Sequence, residues 1–275
     1  MDFKMNKLLK KMMVALLSLG LAQVVLADNV PDFKETLQAA EQGDAEAQYN
    51  LGVMYDSGRG VRQDDAQAVQ WYRKAAEQGD ANAQFNLGLM YDQGRGFRQD
   101  SVQAAQWYRK AAEQGYAQAQ YNLGWMYYNG RGVRQDDAQA VQWFRKAAEQ
   151  GFAQAQFNLG LMYDQGRGVR QDYTQAVQWY RKAAEQGDAQ AQYNLGMMYA
   201  QGQGVRQDDA QAVQWFRKAA EQEVAPAQYN LGAMYSNGQG VRQNYKIAKE
   251  WFGKACDNGY QQGCDNYRKL NQAGY

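Results

Sequence analysis

The chain has no histidine, two cysteines and almost no serine among its 275 residues. Without imidazole there is no histidine general base, no histidine metal ligand and no Ser-His or Cys-His nucleophile pair. Beyond Ser18 the only serines are Ser57, Ser101 and Ser236. Carboxylate, tyrosine, lysine and arginine chemistry is all that remains for catalysis. An excess of either charge is missing too, since 30 Lys and Arg face 29 Asp and Glu. Lys4, Lys7, Lys10 and Lys11 stand against Asp2 alone in residues 1–27, which leaves 26 basic and 28 acidic residues in the rest. The cations beyond that segment recur singly and close to acids. They form no basic patch of the kind a nucleic-acid partner requires.

Long apolar runs are confined to one place. Met12 to Val25 is a mostly apolar stretch of 14 residues, short for a bilayer span of about 20. Lysines precede it, and Val25-Leu26-Ala27 follows with small residues where a signal peptidase reads. Residues 1–27 are therefore expected to be a secretory signal peptide cleaved after Ala27; an uncleaved anchor is the alternative, and Met5 is a second possible start. No cysteine lies at the cleavage site to carry a lipid. The mature chain is expected in the periplasm or outside the cell, in an oxidising compartment. Cys256 and Cys264 suit that setting: they are an even pair flanking the helix-ending Asn258-Gly259. We read them as a structural disulfide that pins the end of one helix to the start of the next.

What the chain does have is a period. Trp71, Trp107, Trp143, Trp179, Trp215 and Trp251 are spaced 36 residues apart, and Asn-Leu-Gly recurs on the same beat from Asn50 to Asn230. A fixed period of about 20–50 residues marks a solenoid. Within one unit, Ala47, Leu51, Met54 and Tyr55 share one helical face, and Gly58 ends that helix. After a short turn, Asp64 and Gln67 make a capping box for a second helix, on which Ala68, Trp71, Tyr72, Ala75 and Ala76 share a face until Gly79. Each unit is thus an antiparallel helix pair, A then B. Six units are expected at 44–79, 80–115, 116–151, 152–187, 188–223 and 224–259, with capping helices at 28–43 and 260–275. The fold class is all-α, a superhelical α-solenoid. Gly52 and its equivalents sit mid-helix, where glycine costs about 1 kcal/mol against alanine; close approach of A and B, with the Ala68 row opposite, is the expected reason. Glu223 replaces a helix-ending glycine and Pro226 enters the next first turn, so a small change of superhelical angle is expected at that junction.

In these residues the chain resembles the Sel1-like repeat family. The pattern is carried by Ala47, Leu51-Gly52, Met54-Tyr55, Gly58, Gly60-Val61, Asp64, Ala68, Trp71-Tyr72, Lys74-Ala75-Ala76 and Gly79, repeated through nearly all of the expected mature chain. The family is related to tetratricopeptide repeats. The resemblance implies a right-handed superhelix and an adaptor role in protein assembly or signalling, with no cofactor or metal. The cysteine spacing is also similar to that of cysteine-rich Sel1-like proteins. This implies an alternative role as a cell-wall-associated ligand binder or weak β-lactamase, though here only the last unit carries such a pair.

By similarity to tetratricopeptide arrays, helix A would line a concave groove that holds a protein or peptide. The A-helix aromatic row Tyr49, Phe85, Tyr121, Phe157, Tyr193 and Tyr229 is not needed for the expected A–B face. The next row, Val53, Leu89, Trp125, Leu161, Met197 and Ala233, differs most between otherwise near-identical units. Positions free to differ are those that packing does not fix. From these rows the candidate binding residues are Tyr49, Phe85, Leu89, Tyr121, Trp125, Phe157, Leu161, Tyr193 and Met197. Tyr128 joins them from a third row, and Trp125 with Tyr128 is the leading anchor. Asn122 and Asn158 join them as amides that can grip a peptide backbone. Arg59, Arg95, Arg131 and Arg167 are expected to be solvated or paired with residues of the Asp64 type. The six periodic tryptophans are expected in the core.

Overall fold

The computed structural model describes residues 32–275, so the expected signal peptide lies outside the described residues. Among the described residues there are 14 helices and no strands. Helix α1 (Phe33–Glu41) opens the array. Six pairs follow: α2 (Ala45–Ser57) with α3 (Asp65–Glu77), α4 (Ala81–Gln93) with α5 (Ser101–Glu113), α6 (Ala117–Asn129) with α7 (Asp137–Glu149), α8 (Ala153–Gln165) with α9 (Tyr173–Glu185), α10 (Ala189–Gln201) with α11 (Asp209–Glu221), and α12 (Ala225–Asn237) with α13 (Tyr245–Asp257). Helix α14 (Gln261–Gln272) closes it. The even helices α2 to α12 are the A helices and the odd helices α3 to α13 the B helices. Every helix packs on the one before and the one after, which makes the chain an all-α solenoid.

Local chemistry sets each boundary. Asp44, Asp80 and Asp188 open their A helices by accepting from the amide three residues on, at 2.7 Å. Tyr116, Phe152 and Val224 hold the same place without a side-chain cap. Two of them substitute packing for capping: the Tyr116 ring lies 5.0 Å from Phe85, and the Phe152 ring 5.1 Å from Tyr121. Each A helix ends at a left-handed glycine, such as Gly58 at φ 71°. Asp64 then caps α3 by accepting from the amides of Ala66 and Gln67.

The core lies between A and B and is corrected in one detail. A Cβ built on Gly88 would sit 2.7 Å from Cδ1 of Tyr108, and at Gly124 the same distance from Phe144. The row opposite these glycines is therefore the B-helix aromatic row, not the Ala68 row: a ring lies directly against the bare backbone. Trp71, Trp107, Trp143, Trp179 and Trp215 are buried, whereas Trp251 is half-buried. A lysine one turn on covers each ring, as Lys146 covers Trp143 at 4.2 Å from the ring centre.

At the departure from pattern the turn is kept. Glu223 adopts φ 63°, the left-handed form that its glycine equivalents hold, and Val224 still donates to Ala219 at 3.2 Å. Pro226 falls in the first turn of α12, where no intrahelical donor is lost.

Adjacent repeats join through an amide network not foreseen from the sequence. Gln48, Gln84, Gln120, Gln156, Gln192 and Gln228 are buried. Each donates to a carbonyl at the end of the preceding helix; Gln120 reaches Ala112 O at 3.0 Å. Its Oε1 in turn accepts from Gln150, at the end of its own B helix, at 2.7 Å. The last link uses Asn258 in place of glutamine. Arg73, Arg109, Arg145, Arg181 and Arg217 add a second ladder, each donating to the hydroxyl of a tyrosine on the next A helix (Tyr91, Tyr127, Tyr163, Tyr199 and Tyr235). A third contact is steric. A Cβ on Gly132 would fall 2.0 Å from the carbonyl oxygen of Ser101, and from the second repeat on each A–B turn rests in this way on the first turn of the preceding B helix.

Cys256 on α13 and Cys264 on α14 are bonded, with their Cα atoms 4.5 Å apart. No helix among the described residues is long and apolar enough to cross a membrane.

Candidate functional site

Each A helix is clasped by two B helices and keeps one stripe toward solvent. On α6 that stripe holds Gln118, Trp125 and Asn129, exposed, with Tyr121, Asn122 and Tyr128 half-buried along its margin. Trp125 is 39% exposed, the most open aromatic on any A helix. Its counterparts Val53, Leu89, Leu161, Met197 and Ala233 are half-buried, and they too lie on the stripe.

Trp125 is held from behind. Its ring centre lies 5.0 Å from Tyr128 and 6.2 Å, edge-on, from Phe144. The Arg167 guanidinium sits 3.7 Å over the Tyr128 ring, donates to the Tyr128 carbonyl at 3.3 Å and pairs with Asp137 at 2.8 Å. A ring fixed by rings and a cation loses little side-chain entropy on binding, which suits an anchor.

Contrary to the expectation that the A–B face does not need it, the row from Tyr49 to Tyr229 packs on the B-helix rings. Phe85 is only 6% exposed, and its ring lies 5.7 Å from Tyr108. Tyr49, Phe157 and Tyr193 pack in the same way on Tyr72, Tyr180 and Phe216 at 5.9–6.0 Å. Tyr121 meets Phe144 at 5.8 Å. The row packs on the B-helix rings that cover the mid-helix glycines, so it belongs to the A–B face. This takes Phe85 out of the accessible set and leaves the other members half-buried beneath the stripe.

The asparagines face tyrosine hydroxyls of the preceding repeat. Asn122 lies beside Tyr108, whose buried hydroxyl has no hydrogen-bond partner among the described residues, and Asn158 lies beside Tyr121. Both amides are half-buried. The turn arginines likewise reach back one repeat. Arg95 pairs with Asp56 and Asp65. Arg131 meets Asp92 Oδ1 at 2.7 Å, off the hydrogen-bond direction, so that contact is an ion pair alone. Their partners are thus the residues after the B-helix caps and the ends of the A helices, because residues of the Asp64 type are occupied in capping.

Burial raises the phenol groups of this layer. It pushes Tyr121 up to about 12 and holds Tyr49, Tyr72, Tyr108, Tyr180 and Tyr193 above the ordinary value of 10.0. A folded-state value above the unfolded one gives stability that is complete below the unfolded pKa and is lost as pH rises through the folded value. The array should therefore keep its helices up to about pH 10 and then unfold as the layer ionises. In one titration the last part of the rise in phenolate absorbance should coincide with the loss of the far-ultraviolet circular dichroism signal. Complete phenolate formation with the helix signal intact would refute a buried tyrosine layer.

The Sel1 repeat profile matches residues 45–80, 81–116, 117–152, 153–188, 189–224 and 225–260. Among solved structures, the chain is similar to a protective antigen of uropathogenic Escherichia coli strains displaying an SLR fold, with 40% identity, a TM-score of 0.79 and coverage of 89% of this chain. This chain spans 57% of that antigen's length. It is also similar to a Sel1 repeat protein from Oxalobacter formigenes, with 37% identity, a TM-score of 0.66, and coverage of 82% of this chain and 97% of the other. No curated protein matches.

Proposed function

The chain belongs to the Sel1 repeat family, and from that premise we propose that it is an exported, non-catalytic adaptor that seats a protein or peptide segment along its A helices. The observation that carries this reading is Trp125, a braced and exposed ring on an array whose units are otherwise nearly copies. Leu89, Leu161 and Met197 extend the same stripe on neighbouring helices. An array that repeats one shallow stripe suits an extended segment, with affinity shared among successive units. Export is supported by the lysine-led apolar run before Ala27 and by the Cys256–Cys264 bond. A non-catalytic role is supported by the scatter of possible nucleophiles: Ser57 and Ser101 belong to the first and second repeats and Ser236 to the last.

Crosslinking the protein in intact cells, beside a Trp125→Ala/Tyr128→Ala double variant, tests the reading. A discrete protein captured by the parent and lost from the variant is the expected result. Equal capture by both, with equal thermal stability, would move the binding surface away from this stripe.

A further inference from the structure

We propose that the segment seated on the A helices is cationic: an extended stretch of Lys or Arg residues that places one basic side chain on the open face of Trp125 and another at Asp164. This deepens the groove reading above and rests on it.

The first argument is charge placement. None of the six A helices contains a lysine or arginine, whereas Glu46, Asp56, Asp92 and Asp164 all lie on them. The B helices behind carry the cations, such as Arg145 and Lys146 on α7. A segment approaching the A stripe therefore meets acids and aromatic rings on the helices themselves.

The second argument is how the molecule treats its own rings and acids. Asp56 has Arg95, Asp92 has Arg131, and the Tyr128 ring has Arg167, in each case from the turn of the following repeat. The fifth repeat has Gln203 at that turn position, so no Lys or Arg among the described residues pairs with Asp164. Tyr180 donates to its Oδ2 at 3.2 Å, and burial pushes the carboxyl up from its ordinary range. The tryptophans follow the same logic. All six B-helix tryptophans have a lysine ammonium 3.8–4.2 Å from the ring centre. Trp125 has no such cation among the described residues. Trp125 is thus the tryptophan, and Asp164 the acid of the row Asp56, Asp92 and Asp164, left without a cation, and they lie on successive A helices. Asp164 on α8 is the repeat-equivalent of Tyr128 on α6, and Tyr128 touches Trp125. Ring faces attract cations most strongly when part of the hydration is lost, as on a braced half-open tryptophan.

The test uses the purified protein and three labelled peptides of about ten residues, long enough at ~3.3 Å per residue to cross helices about 10 Å apart. One carries alternating lysines; in the others glutamine or glutamate replaces every lysine. Fluorescence anisotropy should show the lysine peptide binding at least tenfold tighter than the glutamine peptide, with no binding of the glutamate peptide. Trp125→Ala and Asp164→Asn should each weaken the lysine peptide by about fivefold, while Glu149→Gln on the exposed part of α7 should leave it unchanged. If lysine and glutamine peptides bind equally, and Trp125→Ala weakens both, the groove survives and the cationic partner falls. Lysine-peptide binding that neither variant changes would be diffuse adsorption and would overturn the site. Absence of binding by all three peptides at low salt overturns the proposal as well.

Discussion

Gly88→Leu should lower the stability of the array by about 3 kcal/mol or more, the upper part of the range for overpacked cores. The missing Cβ at this position is the space into which the Tyr108 ring folds, and any added carbon would lie 2.7 Å from Cδ1. The helix gains about 1 kcal/mol from losing a glycine, so the steric term must exceed that gain for the sign to hold. Tyr108 is fully buried, and Phe85 lies against it, so the ring has no room to withdraw. Chemical denaturation gives the size of the loss and hydrogen exchange its location. Loss of protection should centre on α4 and α5 and spread to their neighbours, because each repeat leans only on adjacent ones. Combining Gly88→Leu with Tyr108→Ala should cost less than the sum of the two changes, since the second removes what the first strikes. An unchanged melt for Gly88→Leu would mean that the ring is not seated on the helix backbone.

Gln120→Leu should cost about 2–3 kcal/mol, although it replaces a polar residue in the interior by an apolar one of similar size. The glutamine is 4% exposed and joins two elements, donating to the Ala112 carbonyl and accepting from Gln150. Leucine would remove both hydrogen bonds that Gln120 makes from its buried position, and breaking hydrogen bonds at a buried site carries a penalty of about 1–3 kcal/mol. Gln118→Leu is the control: that side chain is exposed on the same helix, and its replacement should stay within about 0.5 kcal/mol. Equal effects at the two positions would show that the amide ladder does not hold the repeats together.

The pairing of helices was legible because its signals are local. Left-handed glycines after the A helices and aspartates before the B helices end and start elements by short-range chemistry, and the structure uses Gly58 and Asp64 in those ways. The glycines within the A helices announced a close approach, but the sequence could not say which side chain filled it; a flat ring and a small alanine satisfy the same expectation until coordinates choose Tyr72 over Ala68. The junctions were the harder part. Gln48 and its equivalents recur every 36 residues on the inward face beside Ala47 and Leu51, and a polar residue at a core position was a signal that could have been read. Its partners lie eight residues back and 30 residues ahead, separations that a helical pattern does not disclose. The aromatic row is hidden for the same reason, because a position that one helical face does not use still packs on the rings of another helix.

The latches between repeats also make the array an elastic body of uneven stiffness. Arg95, Arg131 and Arg167 tie the first four repeats by ion pairs or a cation on a ring, but Gln203 and Gln239 occupy those places at the last two junctions. Each ionic latch is half-exposed and worth little alone, yet the three lie in series and resist the same bending mode. Beyond the softer pair, the Cys256–Cys264 bond clamps the end. Bending should therefore concentrate between the fourth and sixth repeats, just past Trp125 and Asp164, so the stretch nearest the candidate anchor serves as the stiff arm of a jaw and the stretch after it as the arm that swings.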